Sequence, residues 1–165
     1  MTPPPSPLIG CAAERIAALT PENPHWIGDR KPGLLVVGAG MMGREHMRVT
    51  QLLGWAEVRG MVDPFKGSVD WALSDWRLLT DQPLKVYDDL REAIQDSAVD
   101  GIVISTPNHT HHNILQTVCA SGKPILLEKP MATNLADAEQ IVRLAEAYPS
   151  FIQLGMQYRY KAQYV

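Results

Sequence analysis

An open α/β fold, a mostly parallel and doubly wound sheet with helices on both faces, is what this sequence predicts, on three observations. From Gly33 onward, short apolar runs alternate with amphipathic stretches of about a dozen residues, the pattern of repeated strand-helix-strand units whose sheet is covered on both faces. The first of those runs, residues 34 to 37, ends in Gly38-Ala39-Gly40-Met41-Met42-Gly43, and a helix-permissive segment follows at once. A length of 165 residues with 45% hydrophobic and 20% charged content gives one domain with its own core, and leaves no room for a second full domain.

The elements follow in order. Residues 1 to 32 form a leader with prolines at 3, 4, 5, 7, 21, 24 and 32 around a helix-like piece at 12 to 19, and it is expected to be flexible or loosely docked. Strands are expected at 34 to 38, 58 to 62, 84 to 87, 101 to 105, 124 to 128 and 151 to 157, with helices between them. The helix after the glycines carries Met42, His46, Val49 and Leu53 at spacings of four, three and four, which places them on one buried face. His46 there reads as a hydrogen-bonded core residue rather than a ligand. Ile114, Leu115, Val118 and Cys119 form a second stripe ended by Gly122, with Cys119 as a small buried hydrophobe. Leu135, Ala138, Ile141, Val142 and Ala145 form a third, opened by Asn134 as N-cap. The folded domain is expected over 33 to 157, with 158 to 165 left over.

The glycine corner is a phosphate site by its chemistry. Gly38 permits the tight turn out of the strand, Gly40 lets backbone approach a pyrophosphate, and Gly43 lets the helix pack closely on the sheet. The helix start, Met41 and Met42 included, offers free N–H groups and about half a positive charge to the anion. Asp63 lies twenty residues beyond Gly43, at the end of the run 58 to 62, where a carboxylate accepts hydrogen bonds from the adenosine ribose hydroxyls. A 2'-phosphate at that spot meets like charge, so NAD is favoured and NADP is the alternative. Lys66 and Arg59 lie near enough in sequence to soften the preference. Asp63 also reads as a simple turn residue before Pro64.

Two further motifs fall at strand ends, on the edge where an open α/β sheet binds its ligands. Ser105-Thr106-Pro107-Asn108-His109-Thr110-His111 follows the fourth strand. Thr106, Pro107 and Asn108 can face a cofactor, and His111 lies near the next helix start. Leu127-Glu128-Lys129-Pro130 closes the fifth strand. Glu128 and Lys129 make an ion-pair-capable dipeptide there. The Lys129 ammonium can hydrogen-bond a substrate hydroxyl and the nicotinamide ribose, and favours an alkoxide that develops as hydride leaves. No metal site is expected, because the histidines at 109, 111 and 112 have no carboxylate or cysteine at compatible local spacing.

Composition narrows the partners. A net charge of −3 and the lack of a basic patch argue against nucleic acid and anionic membranes. No apolar run approaches the roughly 20 residues needed to span a bilayer. The first residues lack a cationic segment before an apolar core, and Cys11 and Cys119 stand alone, so a reduced, cytoplasmic protein is the default expectation.

Taken in order, Gly38-Ala39-Gly40-Met41-Met42-Gly43-Arg44-Glu45-His46, Ser105 to His111, Leu127-Glu128-Lys129-Pro130 and Gly155-Met156-Gln157-Tyr158-Arg159-Tyr160 resemble the N-terminal signatures of the glucose-fructose oxidoreductase / inositol dehydrogenase (Gfo/Idh/MocA) family. The resemblance covers roughly residues 33 to 160. It implies a Rossmann domain binding NAD or NADP, with Lys129 at the nicotinamide ribose and substrate, and substrates such as sugars, cyclitols and related polyols. It also implies that the family's C-terminal α+β substrate domain, which usually brings the catalytic acid or base, is absent, with 158 to 165 as its truncated start. A truncated product, a split half and an excised domain all fit. On that reading the dinucleotide still binds, catalysis is poor until a separately encoded substrate domain is supplied, and the chain is a monomer or weak dimer. A stand-alone module that binds or senses NAD without chemistry is the alternative. A methyltransferase reading leaves the 106 to 108 and 128 to 130 motifs without a role.

Overall fold

The computed structural model describes residues 30 to 161; the expected leader falls almost wholly outside them. Lys31–Gly155 form one compact unit. Residues 156 to 161 belong to another unit, in which Gln157–Tyr160 make a 3-10 turn.

Within the compact unit the order is β1 (Gly33–Val37), α1 (Met41–Leu53), β2 (Glu57–Val62), α2 (Lys66–Leu79), β3 (Lys85–Tyr87), α3 (Leu90–Gln95), β4 (Gly101–Ile104), α4 (His111–Val118), β5 (Ile125–Leu127), α5 (Leu135–Ala147) and β6 (Ile152–Leu154). The strands form one sheet in the order β3-β2-β1-β4-β5-β6, and every neighbouring pair is parallel. Chain direction across the sheet reverses between β1 and β4, which opens a crevice beyond their carboxyl ends.

Alternation along β1 shows why both faces must be covered. Leu35 and Val37 enter a core with Ile102, Ile104, Leu115, Ile125, Leu127 and Ile141, whereas Val36 enters a second core with Met47, Met61, Trp76 and Val103. α1 and α2 therefore pack on one face, and α3, α4 and α5 on the other, as a doubly wound sheet requires.

Three local expectations need correction. α1 buries Gly43 and Met47, while Val49 and Leu53 stay 38% and 48% exposed. The helix is rotated because Gly43 rests against the Gly38 carbonyl and that contact sets which face turns inward. α5 buries Ile141 and leaves Leu135 and Val142 exposed, because the three-residue edge strand β6 covers a narrow band beneath it. β6 ends at Leu154 rather than at 157: Gly155 N donates the last bond, to Leu127 O at 2.8 Å, where β5 itself stops. Elsewhere the punctuation is as expected: Gly122 has φ +67 and ends the α4 segment, and the Asn134 side chain caps α5 by accepting from Asp137 N at 2.9 Å. Cys119 is half-buried, and burial pushes its thiol pKa up.

The sheet end opposite the crevice is locked by Asp96. Its carboxylate accepts from the Tyr87 hydroxyl at 2.6 Å, Ala98 N at 2.8 Å and Lys85 Nζ at 3.0 Å. These bonds, that from Tyr87 foremost, hold its pKa far below the usual carboxylate range. A carboxylate depressed by folding contributes stability that is fully present above the unfolded value of about 3.9 and is lost as pH falls through the lower folded value. Asp96→Ala should cost about 2 kcal/mol at pH 7. In denaturant melts across the acid range it should also flatten the loss of stability below about pH 4; an unchanged acid limb contradicts this assignment.

Candidate functional site

The corner between β1 and α1 is built by three glycines with three different reasons to be glycine. Gly38 has φ +93, in the region that penalises a side chain, and a Cβ there would lie 2.8 Å from Ser105 C, Ser105 O and Thr106 N. A Cβ on Gly43 would collide with the Gly38 carbonyl oxygen. Gly40 is unlike both. Its φ of −67 suits any residue, and among the described residues a Cβ there would meet nothing within 4 Å beyond its own chain neighbours. The fold does not require glycine at that position, and the space it leaves open lies over the first turn of α1.

That first turn has no side-chain cap and no acidic residue. The N–H groups that begin a helix have no partner within it, so the start of α1, Met41 and Met42 included, presents donors to the space beside Gly40. An anion fits this donor set, and a pyrophosphate fits both the charge and the missing side chain.

Asp63 leaves β2 beside the corner and grips it. Its Oδ2 accepts from Ala39 N at 2.7 Å and its Oδ1 from Phe65 N at 2.8 Å. Each oxygen of an ionised carboxylate has a further lone pair, so Asp63 can hold the loop and still accept from two vicinal hydroxyls. The sequence suggested the ribose task and the turn before Phe65, but not the grip on Ala39 N. The two cations near Asp63 in sequence are engaged elsewhere: Lys66 Nζ lies 2.8 and 3.0 Å from the Asp70 oxygens, and Arg59 Nη2 lies 2.7 Å from Glu57 Oε2. Arg44, directly after Gly43, donates from Nη1 to Asp75 Oδ2 at 2.8 Å and sits 5.7 Å from the Trp71 ring centroid, which ties α1 to α2.

The loop after β4 braces the corner from the other side. Ser105 Oγ donates to Gly38 O at 2.8 Å, and Ser105 N donates to Val37 O at 2.8 Å. Thr110 Oγ1 lies 2.7 Å from Pro107 O and 2.8 Å from Thr106 Oγ1. With one proton to give, it donates to the carbonyl and accepts from Thr106. Pro107 is exposed, and Asn108, half-buried, opens the 3-10 turn Asn108–Thr110.

Two expected cofactor contacts are placed otherwise. His111 is 0% exposed; its Nε2 lies 3.0 Å from Thr106 O and its Nδ1 3.2 Å from Met131 O. Both ring nitrogens face backbone carbonyls, one in the loop after β4 and one in the loop after β5, so the ring lies wedged between the two loops and, when neutral, donates its one N–H to one of them. Glu128 is also buried, and its carboxylate does not pair with the ammonium of Lys129. Its Oε1 lies 2.8 Å from His46 Nε2 and its Oε2 accepts from Lys129 N at 3.0 Å. Lys129 is exposed, its peptide bond to Pro130 is cis, and its Nζ makes no ion pair or hydrogen bond among the described residues.

Among the described residues no three histidine, cysteine, aspartate or glutamate side chains come together as a metal cluster, and no helix is long and apolar enough to cross a membrane.

The sequence model of an oxidoreductase family with an NAD-binding Rossmann fold matches residues 33–156. The rhizopine catabolism protein MocA of Rhizobium meliloti is 33% identical over 121 residues, which are 73% of this chain and 36% of that protein. Inositol 2-dehydrogenase of Paracoccus denitrificans is 31% identical over 132 residues, 79% of this chain and 38% of that protein. The crystal structure of myo-inositol dehydrogenase from Lactobacillus casei, in complex with NAD(H) and myo-inositol, superposes with a TM-score of 0.69 at 28% identity, over 81% of this chain and 39% of that one. The chain thus spans 36 to 38% of the length of these two relatives.

Proposed function

The chain belongs to the Gfo/Idh/MocA oxidoreductase family and carries its NAD-binding Rossmann domain, and from that premise we propose that it holds NAD across the β1/β4 crevice for oxidation of a cyclitol- or sugar-type hydroxyl. The observation that carries the reading is Gly40: an unstrained glycine with open space where a side chain would be, over uncapped helix donors. The pyrophosphate binds at Gly38, Gly40, Met41, Met42 and Gly43. The ribose hydroxyls bind at Asp63, whose charge disfavours a 2'-phosphate. Thr106, Pro107 and Asn108 border the crevice from the β4 side.

When bound, NAD supplies the hydride acceptor. Lys129 is the residue of this chain that acts on the reacting oxygen. Its ammonium donates a hydrogen bond to the substrate oxygen and stabilises the negative charge that develops there as the hydroxyl proton passes to a base, which the family resemblance assigns to the substrate domain. The inositol dehydrogenases among the relatives support a polyol as substrate class.

Calorimetry with NAD and NADP on the wild type and on Asp63→Ser tests the reading. The wild type should prefer NAD. The variant loses a charged acceptor at the ribose, worth about 1.5 to 3 kcal/mol per bond, so NAD affinity should fall about tenfold or more and the NAD/NADP ratio should narrow. An unchanged ratio would mean that another residue reads the ribose.

A further inference from the structure

Glu128 presents a buried carboxylate, its side chain 10% exposed, one residue before an exposed lysine that does not neutralise it. Burial of such a charge is tolerated when both oxygens find donors. One donor is the peptide N–H of Lys129, at 3.0 Å. The other comes from His46, 82 residues away in sequence, at 2.8 Å. An ionised carboxylate only accepts, so the proton of this bond sits on His46 Nε2.

The placement of the two residues gives the bond its meaning. His46 lies three residues after Gly43, on the helix that starts in the glycine corner. Glu128 directly follows β5, and Glu128 N donates to Ile104 O at 2.9 Å, which fixes its backbone to the end of β4. One side-chain pair therefore joins the helix that receives the pyrophosphate to the peptide that carries Lys129. We propose that His46 and Glu128 are positioning residues that set Lys129 against the nicotinamide half of a dinucleotide anchored in the corner. This rests on the NAD reading above and adds a coupling between its two ends.

An apolar residue at 46 fills the helix face equally well but leaves one buried Glu128 oxygen without a donor. The Lys129 peptide then has to shift. The effect should be confined to the half of the ligand that Lys129 touches. NAD and ADP-ribose, which lacks the nicotinamide riboside, separate the two halves.

In titration calorimetry His46→Leu should bind NAD about tenfold more weakly and ADP-ribose within about twofold of wild type. His46→Gln, whose amide can donate in place of Nε2–H, should restore NAD binding. In a Lys129→Ala background, His46→Leu should weaken NAD no further, because the pair acts through the lysine. If thermal melting shows that His46→Leu does not fold, His46→Asn, whose shorter amide falls short of Glu128, carries the same expectations. Equal losses for both ligands, no loss for either, failure of His46→Gln to rescue, or additive losses with Lys129→Ala would each overturn the pairing role. Failure of the wild type to bind ADP-ribose would overturn the NAD reading itself, and the pairing role with it.

Discussion

Gly40→Val should weaken NAD binding sharply and leave the fold standing. The backbone at Gly40 has φ −67, so a branched residue meets no left-handed strain, and beyond its chain neighbours no atom of the described residues lies within 4 Å of the Cβ position. Glycine outranks valine at a helix N-cap, so the stability cost should stay at about 1 kcal/mol. The ligand has no such freedom. Its pyrophosphate must approach the N–H groups at the start of α1 to hydrogen-bond distance, and two methyl groups in that space hold it away. A loss of about a hundredfold in affinity, roughly 3 kcal/mol, is expected by calorimetry, beside a thermal melt within a few degrees of wild type. Retained affinity would remove the corner from the binding site.

Gly43→Ala, three residues along, should do the reverse. Its new methyl group would collide with the Gly38 carbonyl oxygen and lie 3.0 Å from Ser105 Oγ. The first obstacle is backbone, held in place by Ser105 from the end of β4, so neither the carbonyl nor the helix can give way alone. Alanine gains about 1 kcal/mol over glycine in a helix interior, which does not offset displacement of α1 from the sheet. A destabilisation of about 3 kcal/mol or more is expected, read as a lower denaturant midpoint, with NAD affinity lost as a consequence of the moved corner. A stable Gly43→Ala protein would mean that α1 packs less closely than the structure shows. Together the two substitutions separate a glycine kept for the ligand from one kept for the fold, although the motif spells both with the same letter.

The difference between those glycines marks how far the sequence could be read. Alternating apolar runs announced a parallel sheet covered on both faces, and Leu35, Val36 and Val37 do divide between the two cores. The spacing from Gly43 to Asp63 announced a corner with an acid beside it, and Asp63 does touch the corner, through Ala39 N. Such features are local: a period of two or 3.6, or a fixed step along one strand-helix-strand unit, is written in neighbouring residues. The rotation of α1 was not legible, because Met42, His46, Val49 and Leu53 make as good a stripe as the face that is buried. The close contact between Gly43 and the Gly38 carbonyl, with Met47 in the core beside it, belongs to the face that is buried.

Local patterns along the chain were enough to set the order of elements, the parallel sheet, the glycine corner and the strand ends at which Asp63, Thr106 and Lys129 would emerge. What those ends do to one another came from the assembled sheet. It turned His111 inward between two loops and gave the Glu128 carboxylate to His46 and the Lys129 peptide N–H rather than to the Lys129 ammonium. The physical reason is that a buried polar group must find its partner among whatever groups the sheet brings within about 3 Å, and residues 82 positions apart meet only because β1 and β5 flank β4 in one sheet.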